Sequence, residues 1–254
     1  MTITLANKKI LVVGAAGLLG ARVVNHLISA GAYVHAADLN REIISSQLSE
    51  SLISGENCLP HNLDITSEDS LDNLFNEISQ IDGAVNCSYP KTENYGAHFW
   101  QVSQKQFNEN LSLNLGSSFG FSKRCAEYFD INRQPFSLVN CSSIYGVITP
   151  KFNIYEGTKM TTPVEYVAIK SAQLSLDRYI SAYISNSEFR INSVSPGGLL
   201  DNQDPTFIKN YKRHTHGTGM LLPDDICGAI MFLLSDAASF ITGQNLIIDD
   251  GFTI

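Results

Sequence analysis

The feature that most constrains the fold is a triplet of glycines set between an apolar run and a helical pattern. Residues 10–13 read Ile-Leu-Val-Val, then comes Gly14-Ala-Ala-Gly17-Leu-Leu-Gly20, and the amphipathic stretch that follows ends at Ala30-Gly31. Glycines there let the backbone turn sharply from strand to helix and approach a bound group closely, while the helix N-terminus offers unpaired N–H donors. That geometry suits a pyrophosphate. The same rhythm recurs along the chain, with short apolar runs at 10–13, 33–37, 81–86, 136–141, 189–194 and 246–248 separated by amphipathic stretches. The alternation predicts a Rossmann-type α/β fold: a doubly wound, mostly parallel sheet flanked by helices on both faces, with ligands at the carboxyl ends of its strands.

The 254 residues, 44% of them hydrophobic, suffice for such a sheet in a single domain spanning 1–254. Two irregular stretches, 146–161 and 199–223, are longer than ordinary α/β connections and read as substrate loops or lids. A formal charge of −8 opposes a nucleic-acid surface, and no apolar run is long enough to span a membrane. Lys8 and Lys9 before an apolar stretch have a superficial likeness to a secretion signal, but the glycine spacing reads as folded structure. The five cysteines, Cys58, Cys87, Cys125, Cys141 and Cys227, show no C-x-x-C and no metal-ligand spacing. A reducing cytoplasm and no metal are expected, with Cys87 and Cys141 as small buried strand residues.

Asp38 closes the second apolar run about 20 residues beyond the glycines, where a carboxylate accepts hydrogen bonds from ribose hydroxyls and repels a 2′-phosphate. The expected cofactor is therefore NAD rather than NADP, although Arg41, three residues on, is placed to pair with a phosphate. Gly14, Gly17, Leu18, Leu19 and Gly20 are the candidate pyrophosphate contacts.

A second constellation carries the chemistry. Tyr166 and Lys170 stand one helical turn apart behind Thr162-Pro163-Val164-Glu165, which reads as a capping box with Thr162 as N-cap and Pro163 in the first helical position. A phenol, with its ordinary pKa of about 10, becomes a usable base when a fixed cation favours the phenolate. Tyr155 and Lys159 repeat the spacing, but a helix through them would hold Gly157 in its interior and run into Pro163, so Tyr166 is the expected reactive residue.

With these residues in view, the chain resembles the short-chain dehydrogenase/reductase family over its whole length. The run from Tyr166 to Arg190-Ile-Asn192-Ser-Val-Ser-Pro196-Gly197 is similar to the compact single-domain branch, as are Phe240-Ile-Thr-Gly243 and Ile248-Asp-Asp-Gly251. The resemblance implies that Ser143 orients the substrate, with Ser142 as its rival, that Tyr166 is the general acid/base, that Lys170 tunes it and binds the nicotinamide ribose, and that Asn114 links Lys170 to solvent. It further implies that Asp64 and Ile65 face the adenine, and that Asn86, Pro196 and Gly197 border the cofactor. Three features depart from the compact branch. The glycines follow G-x-x-G-x-x-G, Asn86-Cys-Ser-Tyr89 stands where N-N-A-G is usual, and the interval from Ser143 to Tyr166 is long. These traits are similar to the extended, sugar-nucleotide-handling branch, and Thr161–Lys170 is similar to oxidoreductases of bacterial flagellin-glycan and nonulosonic-acid pathways.

The implied function is an NAD-dependent oxidoreductase acting on a secondary alcohol or ketone of a sugar, phosphosugar or nucleotide-sugar-like molecule. An NAD-retaining epimerase or dehydratase and a non-catalytic dinucleotide-binding scaffold remain alternatives. Lys209, Lys212, Arg213, His214 and His216 in the second loop are candidates for a substrate phosphate, against a merely solvated face. A homodimer or homotetramer is implied, with Phe119, Phe121, Tyr128 and Phe129 suited either to the interface or to the core.

Overall fold

Aliphatic strand residues and the helices laid over them produce the architecture of the computed structural model, which describes residues 3–47 and 57–254. Seven strands, β1 (Lys9–Val13), β2 (Tyr33–Asp38), β3 (Cys58–Asn62), β4 (Gly83–Asn86), β5 (Phe136–Cys141), β6 (Phe189–Pro196) and β7 (Asn245–Ile248), form one sheet in the order β3-β2-β1-β4-β5-β6-β7. Every pairing is parallel. The order reverses between β1 and β4, so a crevice opens beyond the carboxyl ends of those two strands.

The strand β3 was not expected from the sequence. Its Cys-Leu-Pro-His-Asn lacks an apolar run, and a proline is tolerated there because β3 lies at the sheet edge. Against the two faces of the sheet lie separate cores. One packs α1 (Leu18–Ser29) and α8 (Asp224–Leu234) through Val23, Val24, Leu27, Ile226, Ile230 and Leu233. The other packs α3 (Glu68–Glu77), α5 (Ser117–Asn132) and α6 (Val164–Ile184) through Leu74, Phe121, Phe129 and Ile180. Each large side chain so buried contributes about 1.5–3 kcal/mol. Of the four aromatic residues suited to an interface or the core, Phe121 and Phe129 are core, Tyr128 accepts the Ile81 N–H on its hydroxyl oxygen at 3.0 Å, and only Phe119 is exposed.

Among the described residues there are also three shorter α-helices, α2 (Arg41–Gln47), α4 (Gln104–Leu111) and α7 (Pro205–Lys212). The last interrupts the loop expected at 199–223. Between α4 and α5, Ser112–Gly116 forms a π-helical turn, a local widening that is frequent at functional sites. Among the described residues no helix is long and apolar enough to cross a membrane.

Candidate active site

The crevice is a cleft of about 1080 Å³ lined from the glycine turn at one end to a group of tyrosines at the other. At Gly14 the backbone has φ +78°, and a Cβ there would lie 2.8 Å from the backbone of Cys87 and Ser88. At Gly20 a Cβ would come within 2.0 Å of the Gly14 carbonyl oxygen. The first turn of α1 therefore packs directly on the glycine turn. No side chain caps α1 and no acidic residue stands in its first turn, so its amide donors are left for an anion. Gly17, Leu18 and Leu19 line the cleft beside them, whereas Gly20 serves the packing.

Asp38 ends β2 at the edge of the cleft. Its carboxylate accepts the Ala16 N–H at 2.9 Å and the Leu39 N–H at 2.8 Å, which fixes it beside the glycine turn. Asp64 and Ile65 also line this end, with Asp64 held by the Thr66 N–H and hydroxyl at 2.9 and 2.6 Å. The Arg41 amide donates to the Asn62 side chain at 2.8 Å. Glycine backbone, free helix amides and a fixed carboxylate together match the pyrophosphate and ribose of a dinucleotide in the order in which a dinucleotide presents them.

At the centre, Ser143, Tyr166 and Lys170 meet. Burial pushes the Tyr166 phenol above its ordinary value, while a hydrogen bond with the Ser143 side chain pulls it down. Lys170 is buried, its Nζ donates to the Cys141 carbonyl at 2.7 Å, and it stands 5.7 Å from the centre of the Tyr166 ring. Burial lowers its pKa to about 8, against the opposing pull of Cys141, Cys87 and Asp177. The net shift of the Tyr166 phenol is therefore upward and not the downward one expected beside Lys170, because desolvation is its largest cause and keeps the phenol protonated. Ser142 is not an equivalent of Ser143: its hydroxyl donates to the Lys170 carbonyl at 3.1 Å and ties β5 to α6.

The expected capping box is also absent. Helix α6 begins at Val164 with an extended Pro163 as N-cap and no side-chain cap. The Thr162 hydroxyl instead pairs with Tyr155, and Glu165 is buried, accepting the Asn110 amide at 3.3 Å. Tyr155 closes a short 3-10 turn, Phe152–Tyr155, and Gly157 at φ +77° breaks the chain before exposed Lys159. The second Y-x-x-x-K spacing thus shares no helix.

Asn86 and Asn114 act on the wall of the site. Asn86 is buried, accepts the Ser88 N–H and hydroxyl at 3.1 and 2.6 Å, and donates to Ser118 at 3.4 Å, leaving Cys87, Ser88 and Tyr89 as the lining residues of that turn. Asn114, in the π-helical turn, donates to the Pro90 carbonyl at 3.1 Å. Pro196 and Gly197 line the cleft where β6 ends. Cys87 and Cys141 are partly exposed on its floor with their sulfurs 3.5 Å apart, not fully buried as expected.

The far end is aromatic and hydroxylated. Tyr89, Tyr95, Tyr145, Tyr155 and Tyr211 line it with Met160, Phe207 and Met220. The expected substrate loops, 146–161 and 199–223, hold Tyr155, Met160, Phe207, Tyr211 and Met220 of this lining, but Tyr89, Tyr95 and Tyr145 lie on other irregular connections without a period to mark them. Lys209, Lys212, Arg213, His214 and His216 do not line the cleft. His214 packs on Phe252 with ring centres 5.9 Å apart, and the His216 ring lies against Gly251. Among the described residues no group of three or more His, Cys, Asp or Glu side chains is arranged to hold a metal.

A family profile described as enoyl-(acyl carrier protein) reductase matches residues 14–253. Post-translational flagellin modification protein A of Campylobacter coli is 36% identical over 98% of this chain and 99% of its own. A 7alpha-hydroxysteroid dehydrogenase of Bacteroides fragilis is 27% identical over 98% of this chain and 95% of its own. Among solved structures, a short chain dehydrogenase of Leptospira borgpetersenii with bound NAD+ superposes with a TM-score of 0.86 at 28% identity, covering 98% of this chain and 94% of that one.

Proposed function

Because the chain belongs to the short-chain dehydrogenase/reductase family, we propose that it is an oxidoreductase transferring hydride between NAD and a secondary alcohol or ketone, with Tyr166 exchanging the hydroxyl proton. The observation that carries this reading is the convergence of Tyr166, Ser143 and buried Lys170 in the cleft onto which the glycine turn opens.

NAD supplies the hydride acceptor or donor when bound. For it the chain offers the amides of Leu18 and Leu19, with Gly17 turned beneath them by its own N–H bond to the Gly14 carbonyl at 3.1 Å, the Asp38 carboxylate, Asp64 and Ile65 at the adenine end, and Pro196, Gly197 and Lys170 at the other. The Ser143 hydroxyl holds the substrate oxygen. Tyr166, kept protonated by its burial, donates to that oxygen during reduction and takes the proton back during oxidation. Lys170 contributes its remaining N–H donors and the positive charge that stabilises a transient phenolate. Asn114 holds the wall of the site through Pro90, and Asn86 shapes the turn at Ser88.

The substrate we propose is carbohydrate-like. Tyrosine rings offer flat apolar faces rimmed by hydroxyls, which match the alternating C–H and O–H surfaces of a sugar, and a relative named for flagellin modification supports the same direction. The basic loop lies outside the lining and lends no support to a phosphate; Lys91 is the cation that lines the substrate end. The test is NADH formation or consumption across a panel of neutral sugars, phosphosugars and nucleotide sugars. Net NADH change with a sugar supports the reading, substrate conversion without net NADH change would replace it with an NAD-retaining epimerase or dehydratase, and tight NAD binding without any conversion would favour a scaffold.

A further inference from the structure

The family's usual glycine in the turn after β4 is Tyr89 in this chain, and the surrounding contacts hold its ring in one place. Its hydroxyl donates to the Tyr95 hydroxyl at 3.0 Å. The following carbonyl, that of Pro90, accepts from Asn114 at 3.1 Å, and Thr92 donates its N–H and hydroxyl to Asn110 at 3.2 and 3.1 Å. Asn110 in turn donates to Glu165, the residue before Tyr166. Five side chains, Asn110 from α4, Asn114 from the π-helical turn, Glu165 from α6 and Thr92 and Tyr95 from the segment itself, therefore fix where Tyr89 lies.

The fixed ring touches both members of the reactive pair. Lys170 Nζ sits 5.0 Å from the centre of the Tyr89 ring, and the Tyr89 and Tyr166 rings meet edge to face with centres 5.4 Å apart. An ammonium over an aromatic face is attracted by the ring quadrupole, most strongly where water is excluded. We propose that Tyr89 is a positioning residue: its π face keeps Lys170 charged and aimed into the cleft, and its edge fixes the ring plane of Tyr166. The groups facing Lys170 are Cys141 from β5, Cys87 from the end of β4, Asp177 and Tyr166 from α6, and Tyr89. Of these, Tyr89 presents a neutral face, since burial and its Tyr95 partner raise its phenol well above the ordinary value. The ring compensates part of the desolvation that lowers Lys170.

This inference deepens the reading of Tyr166 and Lys170 as the proton-handling pair, yet its test needs neither substrate nor turnover. The protein is labelled with 13C at lysine Cε, the Lys170 signal is identified by its loss in Lys170→Arg, and its titration is followed by NMR. Tyr89→Phe, which keeps the face but loses the bond to Tyr95, is expected to lower the midpoint only as slightly as Tyr95→Phe does, and Tyr89→Leu to lower it by about one pH unit. Tyr95→Phe, which only releases the ring, is expected to lower it by less and serves as the deciding variant where Tyr89→Leu does not fold. A Lys170 midpoint identical to the parent in Tyr89→Leu, or in Tyr95→Phe when that variant decides, would overturn the proposal. An unshifted midpoint in these variants with sugar turnover intact in the parent removes Tyr89 alone, whereas the expected downward shift in a protein that shows no turnover removes the redox reading alone.

Discussion

The chain contains the Y-x-x-x-K spacing twice, and the two copies fold into different objects. Tyr166 and Lys170 ride on the first turns of a 21-residue helix, which fixes their separation and faces both into the cleft. Tyr155 and Lys159 are divided by Gly157 in the left-handed region, so Tyr155 lines the far end of the cleft while Lys159 is exposed. Spacing has chemical meaning only when a continuous helix carries it. The tyrosines also differ in partners: Tyr166 bonds to Ser143 beside a buried cation, while Tyr155 bonds to Tyr145 at 3.1 Å and to Thr162, two neutral hydroxyls.

Substitutions at the two pairs test this contrast directly. The largest expected effect is at Tyr166→Phe, where removing the proton donor should cut turnover of the best sugar substrate by roughly a thousandfold or more. Lys170→Met comes next, with a loss of about a hundredfold. The same variant should be more stable than the parent at pH 7, by up to about 3 kcal/mol in a denaturant titration. The sign follows from the lowered pKa. The unfolded chain keeps the lysine proton up to about 10.5, the usual lysine value, and the folded chain releases it near 8, so the burial penalty is full below pH 8 and is relieved as pH rises from there to 10.5. Lys159→Met should change neither activity nor its pH dependence.

The pH profile sharpens the contrast further. Turnover that needs a charged Lys170 should fall tenfold per unit above about pH 8 and lose that limb in Lys170→Met. Tyr155→Phe should have the smallest measurable effect, a few-fold rise in KM with kcat nearly unchanged, because its hydroxyl sits at the substrate end and not beside Lys170. A kcat loss in Tyr155→Phe equal to that in Tyr166→Phe would erase the distinction between the pairs.

Much of the fold was legible because apolar strand runs and the glycine turn are local signals. Six strands lie where their apolar runs stand, and the carboxylate at Asp38 follows from the end of one of them. The edge strand β3 escaped notice because pairing with β2 on one side requires backbone, not an apolar run, and Pro60, His61 and Asn62 disguise it. The capping box misled for a tertiary reason: Thr162 and Glu165 found better partners in Tyr155 and Asn110, residues distant from the helix start by routes no local pattern encodes. The basic segment around Lys212 was readable as charge but not as direction, and it packs toward the C-terminal residues Asp250 to Phe252 instead of the cleft. Tyr89 was visible as a departure from N-N-A-G; its place over Lys170 depends on anchors at Asn110 and Asn114 that only the folded chain brings together.

The most direct test of the central claim measures NADH affinity by fluorescence and turnover by absorbance on the same preparation of Tyr166→Phe. The account predicts an affinity within a few-fold of the parent together with a loss of nearly all turnover. Turnover at the parental rate with NADH still bound would contradict it.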